Sequence, residues 1–206
     1  MNSAAAQLSS RNKTSPRWVL KAHTDAAHRR LDEGMARLDL TDAFDYRTFL
    51  ALSLEAVSAV ELALEAAQVR TILPDWAERS RRKALAEDLS AFGLKPTGQP
   101  NALQLSSRGA CLGAAYVLEG SRLGGQILLR QAQKAGDPII CANTRYLSHG
   151  DASKLWPSFT ATLDHTLDGA YEVNTACEAA LAVFCIFQTA FGRWTAADRG
   201  ENRWPE

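Results

Sequence analysis

From Pro16 to Trp194 the apolar residues recur every three or four positions, and no stretch alternates apolar with polar residues as a half-buried strand does. A chain patterned this way folds as helices, each burying one stripe against its neighbours. At 206 residues it is long enough for a single domain with a substantial core. No internal repeat and no linker divides it. The expectation is one all-α domain over residues 16–195, an irregular helical bundle of about six helices. A polar, alanine-rich tail, 1–15, is expected to be disordered, and the tail 196–206 to fray.

Local signals set the expected boundaries. Ser15-Pro16 supplies an N-cap followed by proline at the first helical position, starting a helix that runs to about Glu33. Asp45 can cap a second helix through about Val69. Leu73-Pro74-Asp75 breaks the chain and opens a third helix, whose Arg79, Arg81, Arg82 and Lys83 read as a solvated face and whose end is marked by Gly93. Residues 94–104 read as a loop, 106–135 as a fourth helix ended by Gly136, and the stretch to Gly150 as a second loop. Asp151 can cap a fifth helix to about Leu167, and a sixth runs from Gly169 to about Trp194.

Hydrophobic residues make up 46% and charged residues 22%, with formal net charge zero. That balance does not favour a broad attraction to nucleic acid or to an anionic membrane. No apolar run reads as a membrane span and the N-terminus lacks a hydrophobic signal core, so the expected address is the cytoplasm, with no membrane partner. Cys111, Cys141, Cys177 and Cys185 show no CxxC spacing, which argues against zinc or thioredoxin chemistry. They are expected to be reduced and mostly buried.

Two features stand out against this background. Gly120, Gly124 and Gly125 fall inside the fourth helix, where each costs about 1 kcal/mol relative to alanine. Either a flat or bulky group lies against the bare backbone, or small residues there permit tight helix–helix packing. On the first helix, Leu20, Thr24, His28 and Leu31 share one face. On that inward face a neutral imidazole can bind haem iron, or it can be a core or boundary histidine hydrogen-bonded to a neighbour. His23 lies on another face and reads as solvated. A di-iron site is not supported: Asp25-Ala-Ala-His28 has no second such pair, and Glu55, Glu61 and Glu65 have no histidine beside them. No local pattern around His149 or His165 supports cysteine nucleophile chemistry, and the glycines do not form a dinucleotide fingerprint.

In combination these motifs resemble a bacterial haem oxygenase. Leu20-Lys21-x-x-Thr24-x-x-x-His28-x-x-Leu31 is similar to the family's proximal helix, and Tyr46-x-x-Phe49-Leu50 to the start of the next. Trp76 with Arg79, then Leu85 and Asp88-Leu89, resembles the third helix, and Trp156-x-x-Phe159 a later one. Tyr116-Val-Leu-Glu-Gly-Ser-Arg-Leu-Gly-Gly125 looks like the kinked distal helix, especially of members associated with bacterial phytochromes. The resemblance spans roughly Trp18 to Trp194. It implies haem, as cofactor and substrate, between two helices, with His28 the iron ligand and Gly120, Ser121, Gly124 and Gly125 on the distal side. It implies oxidative cleavage to biliverdin, carbon monoxide and ferrous iron, with O2 and reducing equivalents from a reductase or ferredoxin. A biliverdin-using phytochrome is an implied partner. By the same resemblance Lys21 meets a haem propionate, and Gly120 and Ser121 carry the catalytic positions.

Two departures qualify these implications. Many relatives carry an aspartate where this chain has Ser121, whose hydroxyl is uncharged and a poor acid. Basic positions of some relatives near the Trp156 helix are Pro157 and Ala161 here. A haem-binding or sensing protein without turnover is therefore the alternative, and a fold relative holding another small molecule is a third.

Overall fold

The computed structural model describes residues 15–94, 103–134 and 136–193. The two expected tails lie outside these residues, apart from Ser15, whose carbonyl accepts from the Trp18 and Val19 amides as the first helix begins. Among the described residues there are nine α-helices and no strand. They are α1 Pro16–Met35, α2 Ala43–Ala66, α3 Trp76–Arg79, α4 Arg82–Ser90, α5 Arg108–Lys134, α6 Pro138–Ala142, α7 Arg145–Ser148, α8 Ala152–Thr166 and α9 Gly169–Gly192. The all-α expectation holds, and the extra helices come from one split and from two short turns inside a presumed loop.

The split and one of the short turns are capped by carboxylates distant in sequence. The Glu61 carboxylate on α2 accepts from Ser80 Oγ at 2.5 Å and from the Arg81 and Arg82 amides at 2.7 and 3.2 Å. It serves as the N-cap of α4, which is why the third expected helix breaks at Ser80 and restarts. Asp88 does the same for α7, accepting from the Tyr146 amide at 2.8 Å. The second helix begins earlier than expected: Asp42, not Asp45, accepts from the Phe44 and Asp45 amides. Asp45 is instead buried in the first turn, where it accepts from the Asp39 amide.

Arg79 and Arg81 do not lie on a solvated face. They are 2% and 3% exposed. Arg79 donates to Glu119 at 2.7 Å, to both Asp75 oxygens at 2.8 and 2.7 Å, to Ser158 Oγ and to the Leu155 carbonyl. Glu119 on α5 also accepts from Arg122, which donates onward to the Arg79 and His149 carbonyls. Buried charges demand this degree of pairing. Burial works against the Arg79 charge, but Asp75 and Glu119 outweigh it and hold the guanidinium more firmly protonated.

α9 is the hub of the core, with α5, α1 and α2 packed around it. Its best 18-residue window has mean hydropathy 1.5, so by length and composition it could cross a membrane, contrary to the expectation that no run would. Half of that window is buried, including Ala176, Cys177, Ala180, Val183 and Phe184. A helix enclosed on several sides needs an apolar surface nearly all round.

α5 and α9 approach each other closely at two glycines. A Cβ on Gly113 would stand 2.0 Å from the Ala176 carbonyl oxygen, and one on Gly109 would stand 2.3 Å from that of Glu172. Both obstacles are helix backbone and cannot rotate away. Gly113→Ala is expected to cost at least about 3 kcal/mol, a fall in Tm of roughly 6–12 °C by thermal unfolding; an unchanged Tm would refute the contact. A second expectation concerns pH. The Arg79 hydrogen bonds hold the Asp75 carboxyl below the usual carboxylate range. Its stabilisation is full above the unfolded value of about 4 and is lost as pH falls through the lowered folded value. Asp75→Asn should lower Tm at neutral pH and flatten the acid limb of a Tm-against-pH curve.

Candidate functional site

α1 and α5 both run parallel to α9. Along α1, the His28 ring meets Phe184 edge-on at 5.8 Å, Ala27 accepts from Gln188 Nε2 at 2.8 Å, and Gly34 faces Phe191. Along α5, Gly109 faces Glu172 and Gly113 faces Ala176. α1 and α5 meet where the buried Thr24 hydroxyl, donating to the Leu20 carbonyl, lies within hydrogen-bonding reach of the Tyr116 phenol. Burial raises the Tyr116 pKa and keeps the phenol neutral. One helical turn beyond that shared contact stand His28 on α1 and Gly120 on α5.

The helical stripe turns out of the core at His28. Leu20 and Thr24 are buried and Leu31 is half-buried, but the His28 side chain is 62% exposed. The expectation of an inward histidine is corrected to one at the rim, with only its edge against Phe184. Its Nδ1 is 2.9 Å from Asp32 Oδ2 one turn later. In the neutral ring Nδ1–H donates to that carboxylate, which leaves the Nε2 lone pair facing outward.

The three glycines meet different surroundings, and none is a tight helix contact. A Cβ on Gly124 would meet nothing within 4 Å. On Gly120 it would touch the Trp156 ring at 3.7 Å, and on Gly125 the Leu147 carbonyl at 3.6 Å, both ordinary distances. Glycines packed backbone to backbone do exist on α5, at 109 and 113, one turn apart, and sequence reasoning passed over them. α5 stays continuous through the glycine segment. Beside Gly124 it exposes Leu123 and Ile127, at 47% and 55%.

Ser121 does not offer a free proton. Its hydroxyl donates to the Leu118 carbonyl at 2.7 Å and accepts from Arg81 Nη2 at 2.7 Å. Lys21 is exposed, its Nζ 5.2 Å from the Trp18 ring centroid. The Trp156 ring lies tilted against Tyr116, and the Arg17 guanidinium is 5.8 Å from its centroid, so a cation reaches α8 from α1 although α8 has Pro157 and Ala161. Among the described residues no group of three His, Cys, Asp or Glu could hold a metal ion. Cys111 and Cys177 are buried, while Cys141 and Cys185 are exposed, fewer buried than expected. Of the residues missed in the sequence, Asp32 was legible as the i+4 partner of His28. Phe184 and Arg81 reach the site from other elements, and no local spacing points to them.

No family model matches the chain. It is 31% identical over 149 residues to the protein named Heme oxygenase from Xanthomonas campestris pv. campestris (strain 8004), covering 72% of this chain and 89% of that one. The NO- and CO-bound heme oxygenase structures from Neisseria meningitidis share the fold with TM-score 0.73, at 24% identity, over 93% of this chain and 100% of that one. Heme oxygenase from Leptospira interrogans gives TM-score 0.65 at 20% identity, over 88% and 100%. These two likenesses concern the fold; the sequence match to the Xanthomonas protein extends over most of both chains, and by it this chain belongs to the haem oxygenase family.

Proposed function

We propose that this protein binds haem between α1 and α5 and cleaves it oxidatively to biliverdin, carbon monoxide and ferrous iron. Dioxygen and electrons from a reductase or ferredoxin are the co-reactants. The observation that carries the reading is His28, its Nδ1 fixed by Asp32, at the level of a glycine segment with open space at Gly124. The donor set fits the group: one outward imidazole nitrogen on one helix and bare backbone on the other. Haem, when bound, is both cofactor and substrate and supplies the redox chemistry, so the chain's residues bind, orient and exclude water.

In this reading His28 Nε2 is the iron ligand and Asp32 sets its tautomer and basicity. Gly120, Gly124 and Gly125 let the α5 backbone approach the opposite face. Leu123 and Ile127, exposed here, give that face apolar surface. Trp156 and Tyr116 close the end of the site near Gly120. Lys21, almost two turns before His28, takes a propionate. The resemblance of the Tyr116–Gly125 segment to phytochrome-associated members supports a biliverdin-using phytochrome as consumer of the product. The four cysteines are unpaired, which suits a reducing cytoplasm.

A second reading, a haem protein without turnover, draws on Ser121, whose one proton is already bonded to Leu118. Haem titration followed by reductant and oxygen separates the two. Biliverdin absorption supports the enzyme, whereas a Soret band that survives electron supply selects the second reading. His28→Ala should abolish the histidine-type Soret band and weaken haem binding by more than about 100-fold, and Asp32→Asn by about 10-fold. Unchanged affinity in His28→Ala would sink both readings. Gly124→Ala should stabilise the apoprotein by about 1 kcal/mol, about 2–4 °C in Tm, while weakening haem binding. A stabilised variant with undiminished haem affinity would remove Gly124 from the pocket.

A further inference from the structure

We propose that Arg81 is a positioning residue for the glycine-bearing segment of α5, and that the neutral Ser121 leaves the Arg81 charge uncancelled there. The positioning half stands on the apoprotein; the electrostatic half rests on the haem reading above.

Arg81 occupies the joint between α3 and α4, and Glu61 fixes that joint through the Arg81 amide at 2.7 Å. From this anchored backbone the side chain, 3% exposed, crosses to α5. Its Nη2 donates to the Leu118 carbonyl and to Ser121 Oγ, both at 2.7 Å, while the guanidinium stands 5.0 Å from the Tyr146 ring centroid. Ser121 donates to the same Leu118 carbonyl. That carbonyl therefore receives two donors beyond the helical ladder, an arrangement that bends helices and sets local geometry. It lies just before Gly120, in a segment where Gly120, Ser121, Gly124 and Gly125 bring little side chain to packing. The buried Arg122 ties this segment to Glu119 and to the Arg79 and His149 carbonyls, and Arg81 Nη2 ties it at Leu118 and Ser121.

The charge balance is unusual. Arg79, Arg82, Arg122 and Arg145 each have a side-chain carboxylate partner. Among the described residues, no such ion pair involves the Arg81 side chain, whose acceptors are a carbonyl and a hydroxyl, with an aromatic face beside them. Its field is felt nearby: after burial, the Arg81 charge is a cause of the lowered pKa of both Arg122 and His149. An aspartate at 121 would pair with Arg81 and cancel this charge. With serine, the positive charge persists behind the α5 backbone and favours negative charge on that side of the haem site.

The test compares Arg81→Met, Arg81→Lys, Ser121→Ala and Ser121→Asp. In the apoprotein, amide hydrogen exchange over residues 119–126 should quicken at least about 10-fold in Arg81→Met, with α1 and α9 unchanged, and return most of the way in Arg81→Lys. Unaltered exchange there, or a uniform rise across all helices, overturns the positioning role. In the haem complexes, the pH midpoint for ionisation of water on ferric haem should rise by about 0.5–1 unit in both Arg81→Met and Ser121→Asp, and stay near wild type in Arg81→Lys and Ser121→Ala. Equal midpoints in wild type and Arg81→Met overturn the electrostatic role. A wild-type protein that binds no haem overturns the electrostatic role together with the haem reading, while the exchange comparison still decides positioning.

Discussion

The backbone contact of α5 with α9 at Gly109 and Gly113 governs the rest of the molecule. It leaves no room for a Cβ on either glycine and so fixes the depth and direction of α5 against the hub helix. α1 is registered on the same hub through His28, Ala27 and Gly34. Two helices tied to one ruler keep a constant relation to each other without packing together along their whole length. That relation sets His28 and Gly120 one turn past the Thr24–Tyr116 contact. The geometry of the site is thus decided deep in the core, in a layer that carries no chemistry of its own.

The buried polar groups serve the same end by other means. Glu61, Asp88 and Glu119 all come from long or medium helices, and each fixes a short element or an arginine that the local sequence could not hold. α3 has four residues and α7 four, too few to be stable alone. Borrowed caps and the Arg79–Glu119–Arg122 cluster hold them against α5. Their charges are specific as well as costly, because a displaced arginine would leave Glu119 buried without a partner.

Much of this was legible in the sequence. The period of the apolar residues gave the helices, and Ser15-Pro16, Asp151, Gly93 and Gly136 marked boundaries that the structure keeps. His28 stood out because the helix face it shares with Leu20 and Thr24 is otherwise that of a core residue. What stayed hidden depended on partners far along the chain. Arg79 and Arg81 look like solvent residues until α5 and α8 are placed over them. The break at Ser80 needs Glu61, nineteen residues earlier. Of the glycines, the conspicuous three drew attention because they interrupt a helix. Gly109 and Gly113, nearer its start, were the ones that packing requires. A propensity anomaly marks where glycine is costly; the reason for it lies in what faces the glycine.

The apolar character of α9 bears on how the chain acquires its structure. Every helix packed on α9 precedes it in sequence, and the hydrogen bond from Gln188 to Ala27 closes a span of 161 residues. During synthesis the earlier helices can form, but the surface that orders them is made after them. The nascent bundle therefore carries unpartnered apolar stripes until α9 emerges, and its native contacts must then form over long loops, which slows folding. Until then the chain is most exposed to aggregation and has most need of chaperones. Docking of α9 completes the core and sets α1 and α5 on their common support together, so under the proposed function the capacity to bind haem arises with the fold and reports on it.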